Sequence, residues 1–323
     1  MAIIENTPNN NITSIGKHAF EDCKSLESID IPNSITSIGD YAFAKCNSLI
    51  SINIPNSIIS IGNEVFFDCY SLTNINIPNS VTNIGNGAFL RCSALECVAI
   101  SNNVKHIRER TFCLCNSLTN IYIPNNVISI GDYAFSNCNF LKNITVPNSV
   151  KSIGYSAFEK CKSLTSIILS DNLKSIGDWA FYGCNSLKNI TIPNNVTSIG
   201  EYIFEGCDSL NSINIPDSVT IIKERAFNGC KSLININIPN NVTSIEDEAF
   251  EGCESLTSVN IPNGVTIIRY KTFNECKSLT NINIPNNVTS IENSAFAGCK
   301  SLTSINIPNN VKTIGDGAFR GCI

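Results

Sequence analysis

LESIDIPNSITSIGDYAFAKCN, residues 26–47, returns almost unchanged from Leu49, Leu72 and Leu95 onward to Leu302, each copy 23 residues after the last. Cys23, Cys46 and Cys69 begin a ladder that runs in the same step through Cys299 to Cys322, and Phe20 through Phe319 keep pace three residues ahead. Fourteen units of 23 residues account for 322 of the 323 in the chain. A repeat of this period is the mark of a solenoid, in which no unit buries its apolar side alone and each coil packs on the next.

Within one unit, Leu72-Thr-Asn-Ile-Asn-Ile77 alternates apolar and polar from Asn74, the period of a half-buried strand. Pro78 ends that strand because it has no N–H for the ladder. Pro78-Asn79-Ser80 then reads as a turn, with the φ of proline preset. Val81, Ile84, Ala88-Phe89 and Cys92 follow, and their spacing predicts a short 3₁₀ or α turn around residues 86–92. The expected fold is an α/β repeat solenoid of about 14 units, with one parallel sheet and short helical turns on the other side.

The pattern L-x-x-I-x-I-P-N-x-V-T-x-I-G-x-x-A-F-x-x-C resembles the 23-residue leucine-rich repeat of BspA-like surface proteins, and the resemblance spans essentially residues 1–323. It implies a right-handed leucine-rich-repeat coil. It also implies a surface antigen or adhesin that contacts a host or extracellular matrix protein, without catalytic residues. Surface or secreted placement follows from the resemblance alone. The N-terminus, MAIIENTPNNNIT, has no basic segment followed by an apolar core, so a cytoplasmic leucine-rich-repeat scaffold for protein–protein interaction is the alternative.

Composition narrows the function further. The chain is 43% hydrophobic and 15% charged with a net charge of −5, a poor match to a nucleic-acid binder. No apolar run reaches the ~20 residues of a membrane-spanning helix. Residues 1–22 read as a degenerate first unit in which Pro8 falls one residue early and Ile3 and Ile4 supply a ragged strand. The chain is read as a single solenoid over 1–323, regular across 23–322, and its C-terminal end, Gly321-Cys322-Ile323, shows no capping segment.

Chemistry-bearing residues are few. Only His18 and His106 occur, and carboxylates do not pair on the strand face, so no enzyme is expected and no cofactor. Cys92, Cys97, Cys113 and Cys115 cluster near His106, which invites a zinc site. Cys92 and Cys115 belong to the ladder, however, Cys97 falls on the outer strand face and Cys113 on the far side of the coil, so no metal is assigned. The fourteen ladder cysteines are expected as buried, reduced small side chains. Cys97 and Cys113 are expected to react first with a thiol reagent. The slot of Gly39, Gly62 and Gly85 later holds Lys223, Glu246, Arg269 and Glu292, so it should not need a positive φ and is read as an exposed turn. Trp179 occupies a variable slot and is expected as a lid over a turn, and Glu246, Asp247, Glu248, Glu251 and Glu254 as a solvated face.

The outward strand positions form a nearly uncharged Asn/Ser row, which either stabilises the sheet through amide ladders or serves as an interaction surface. Cys97, Ala99, Tyr122, Thr145 and Ile168 interrupt it. These five are the candidate ligand-binding residues, since tyrosine ringed by amides suits an interface hot spot. Asn11, Asn143, Asn189, Asn195, Asn241 and Asn287 head N-x-[ST] sequons, which an Asn-rich repeat produces by chance.

Overall fold

A computed structural model describes Ala2–Ile3 and residues 12–322, and the chain separates into two compact units, 1–164 and 165–323. In the first unit, Ser28–Asp30 pairs in parallel with Ser51–Asn53, and Asn74–Asn76 with Cys97–Ala99, every partner 23 residues along. A second row of two-residue strands, Ser14–Ile15, Ser37–Ile38, Ser60–Ile61 and Asn83–Ile84, repeats the offset. In the second unit, Asn189–Thr191 pairs with Ser212–Asn214, and Ser258–Asn260 with Asn281–Asn283. Its second row includes Ser198–Ile199, Ile221–Ile222 and Ser244–Ile245. Each unit is thus a parallel β-solenoid of leucine-rich-repeat type, with two strands per coil.

Two expectations need correction. No helix occurs among the described residues, and the single sheet is two rows of strands. The ragged first strand is Ala2–Ile3, where Ala2 pairs with Ile29. Ile4 and the early Pro8 of the degenerate first unit, with Asn9, Asn10 and Asn11 after it, lie outside the described residues.

The expected helical turn fails for a reason visible in its hydrogen bonds. Across residues 41–46, the N–H groups of Tyr41, Phe43 and Lys45 donate to Asn63, Val65 and Phe67 of the next coil. Those of Ala42, Ala44 and Cys46 donate three residues back, to Gly39, Tyr41 and Phe43. Every other amide is thereby joined to the neighbouring coil, which an α-helix cannot do because its N–H groups point along its own axis. The alternation requires a left-handed backbone twice per coil, at Tyr41 (φ 57°) and Lys45 (φ 61°) and their equivalents. L-residues bear a cost there of roughly 1–2 kcal/mol that glycine escapes. Gly206, Gly229 and Gly252 occupy the second of these slots in the later coils. Lys45→Gly should therefore raise the unfolding free energy by about 1 kcal/mol, and Gly252→Ala lower it by about as much. At Gly252 an added Cβ would approach nothing closer than 3.6 Å, so urea melts of that variant report backbone strain rather than a clash.

The Gly39 slot has no positive φ, as its later Lys and Glu occupants suggested. It is not simply an exposed turn, however. Gly85 is buried, and a Cβ there would sit 2.4 Å from the Gly62 carbonyl carbon. Glycine at this slot lets successive coils of the first unit approach backbone to backbone.

A regular coil sends eight apolar side chains inward, and Thr111 and Thr272 replace one of them in their coils. In the second full coil the eight are Leu49, Ile52, Ile54, Ile58, Ile61, Val65, Phe66 and Cys69. Phenylalanine rings stack on their equivalents at centroid distances of 5.1 Å (Phe20–Phe43) to 5.8 Å (Phe43–Phe66) in the first unit. The ladder thiols do more than fill space. Cys69 Sγ donates to the Phe43 carbonyl at 3.1 Å and Cys92 Sγ to the Phe66 carbonyl at 3.0 Å, and the same bond recurs at Cys230 and Cys253. Each S–H thus satisfies a carbonyl of the preceding coil. All sixteen cysteines are free. Cys97 is exposed as expected, but Cys113 is buried, and that burial pushes its thiol up to about 11. Cys23, at the rim of the first unit, is the other exposed thiol.

Candidate functional site

Charge is segregated around the coil. On the turn side of the second unit, Trp179 is half-buried and stacks on Tyr202 at 4.3 Å, and the Arg225 guanidinium lies 5.4 Å from the Tyr202 ring centre. Arg225 Nε meets Glu248 at 2.5 Å, which raises the guanidinium pKa further and holds the Glu248 carboxyl below its ordinary value. Asn228 and Asn274 both donate to Glu251, and Lys277 pairs with Glu254 at 3.0 Å. Trp179 is therefore a rung in a ladder of rings and ion pairs, not a lid. The acidic residues are likewise mostly paired from coil to coil, with Glu248 buried.

The strand face carries almost no charge, Asp30 excepted. On that face the Asn235 amide oxygen accepts from Thr257 and Ser258 of the next coil. An amide ladder also runs through the turns, where Asn103 Nδ2 donates to the Asn79 carbonyl and Asn126 Nδ2 to the Asn102 carbonyl, both at 2.7 Å. In the second unit Asn195, Asn241 and Asn287, the sequon residues of the turns, do the same.

Of the five candidate residues, Cys97, Ala99, Tyr122 and Thr145 are exposed on the strand face of the first unit, and Ile168 on that of the second. Cys97 and Ala99 sit in regular register opposite Asn74 and Asn76. Tyr122 does not. Residues 120–122, expected as a strand, form none, and among the described residues no backbone hydrogen bond joins 120–123 to a neighbouring coil. A groove of about 320 Å³ opens there, lined by Asn120, Tyr122, Asn125, Asn143, Thr145 and Pro147 among others. Tyr122 stands at its edge, 64% exposed.

The second unit repeats the association. Beside Ile168, 63% exposed, the pairing of Ser166–Ile168 with Asn189–Thr191 shrinks to the one rung Ser166–Asn189, and a groove of about 290 Å³ runs past Asp171, Asn189 and Thr191. The large outward residues thus stand where the strand row loosens. Asn120 and Asn125 were not singled out from sequence, because they conform to the repeat and only the loss of the strand brings them to a groove. Among the described residues no three His, Cys, Asp or Glu side chains converge as a metal site, and Cys92, Cys113 and Cys115 point into the core while Cys97 faces out.

Comparison with known proteins agrees with this architecture. The chain is similar to a leucine-rich repeat protein of Bacteroides ovatus, at 30% identity over 94% of this chain and 87% of that one, with a TM-score of 0.61. It is similar to a leucine rich cell surface protein of Faecalibacterium prausnitzii, at 29% identity over 92% and 85% with a TM-score of 0.57. The pneumococcal vaccine antigen PcpA shares the fold at 20% identity, over 94% and 79%, with a TM-score of 0.54. No curated protein sequence matches the chain. The BspA type leucine rich repeat region matches residues 3–119, 105–234 and 197–323, and the chain belongs to that family.

Proposed function

We propose that the protein is a non-enzymatic, surface-displayed binding solenoid that docks a protein partner, of host or extracellular matrix origin, on its strand face. The observation that carries this reading is Tyr122, a largely exposed aromatic beside an open groove on an otherwise uncharged face. Aromatic anchors within a polar rim dominate binding energy at interfaces. Family membership and the similarity to a cell surface protein of Faecalibacterium prausnitzii support placement outside the cell. No helix among the described residues is long and apolar enough to cross a membrane. The free thiols favour a second reading, an intracellular scaffold using the same face. Surface biotinylation of intact cells separates the two, since a folded, expressed protein that fails to label is not a surface adhesin.

Tyr122→Asn combined with Ile168→Asn tests the face itself. Asn76 and Asn214 fill the same slot in other coils, so the variant should keep its fold. Affinity for a captured matrix protein should fall by about 2 kcal/mol or more, as for a hot-spot pair. Unchanged affinity would move the site to the turn side around Trp179 and Tyr202.

A further inference from the structure

The groove beside Tyr122 has a composition that points to a particular ligand chemistry. Its rim is Asn120, Asn125, Asn143 and Thr145, its floor includes the buried Ile121, Ile144 and Pro147, and none of its lining residues is charged. Among the described residues, the side chains of Asn120, Tyr122, Asn125 and Thr145 make no hydrogen bond within the protein. Two coils before Asn125, Asn79 behaves differently, its amide oxygen accepting the N–H of Asn102 at 2.9 Å. The backbone of 120–123 is equally unengaged with its neighbours.

We propose that this groove binds a neutral oligosaccharide, such as a glycan chain displayed on a partner's surface. The inference rests on the reading of the strand face as the binding face and names the chemistry it takes. A carboxamide presents a donor and an acceptor side by side, which matches adjacent sugar hydroxyls. The exposed Tyr122 ring supplies an apolar face for the C–H side of a pyranose, with its hydroxyl free to reach a ring substituent. The volume of about 320 Å³ is at the small end of ligand sites and suits about one or two sugar rings. With no cation in the lining, nothing balances a sialic acid, uronate or sulfate, so the ligand is neutral. The groove beside Ile168 has Asp171 and no aromatic ring, so it does not offer this chemistry.

The test is binding of the full chain to immobilised neutral gluco-, manno- and galacto-oligosaccharides and N-acetyllactosamine, alongside sialylated and sulfated counterparts, with calorimetry on the hits. Neutral glycans should bind, Tyr122→Asn should weaken them at least about tenfold, and Ile59→Thr, an exposed turn position that holds threonine at Thr36 and Thr82, should leave them unchanged. Affinity should stay within about twofold between roughly 0.1 and 1 M salt, because no charge is there to be screened. Absence of any neutral hit, preference for the acidic glycans, or full binding by Tyr122→Asn would each overturn the proposal. Matrix glycoproteins, native and enzymatically deglycosylated, keep the two readings apart. Binding that survives deglycosylation rejects the glycan and leaves the protein-docking face standing, whereas no binding to either form removes both.

Discussion

Raising the pH through about 9 to 11 should unfold the protein steeply and cooperatively, well before the peptide chemistry of the fold is affected. Among the described residues eleven ladder thiols have their ionisation pushed upward by burial, five in the first unit and six, with Cys322, in the second; Cys46 and Cys299 rise to about 12 and Cys92, Cys115, Cys138, Cys230 and Cys276 well above the ordinary 9.0. Cys69, Cys207 and Cys253 shift the same way. A group whose folded pKa is raised contributes stability that is complete below its unfolded pKa and is lost as the pH climbs toward the folded one. The unfolded chain releases these protons near pH 9, and the folded chain holds them because each S–H is buried, or half-buried at Cys322, and donates to a phenylalanine carbonyl of the preceding coil. Each such thiol removes about 1.4 kcal/mol per pH unit, so five remove about 7 kcal/mol per unit of pH from each half. That is comparable to the whole stability of an ordinary domain. Circular dichroism against pH would check it, with a variant in which several ladder cysteines are alanine as the control. An alkaline transition no steeper in the wild type than in that variant would sink the idea.

Phe227→Ala should cost about 3–5 kcal/mol, the largest effect of any single truncation proposed for the chain. Phe227 is fully buried and stacks on Phe204 at 5.5 Å and Phe250 at 5.2 Å, so its loss opens a cavity between two rings that backbone bonds hold in place. The coil cannot close over the gap, because Phe227 N–H remains tied to Ala249 and Gly229 N–H to Glu251 of the next coil. Phe319 in the last unit stacks on Phe296 and is half-exposed, so Phe319→Ala should cost less than half as much. Urea titrations of the two variants decide between these. Equal losses would mean that stability is not set by nearest-neighbour coils.

The repeat, the inward set of eight apolar side chains and the coil-to-coil register were all legible in the sequence. Their physical basis is simple: alternation with period two marks a half-buried strand, and an unbroken 23-residue period leaves one register open to every coil. The exposed position of Tyr122 followed from the same alternation. The second strand at Ser37–Ile38 and the two left-handed residues per coil were not legible, and a helix was expected in their place. Local spacing around Ala42 and Phe43 fits a helical turn, and only the presence of an identical neighbour, able to accept every other N–H, makes the twisted turn preferable. Cys113 was misplaced outward for the same reason, since its side of the coil depends on that turn. The groove, finally, belongs to the tertiary structure alone. Asn120 and Asn125 carry the ordinary letters of the repeat, and they border a site only because the strand between them and the next coil fails to pair.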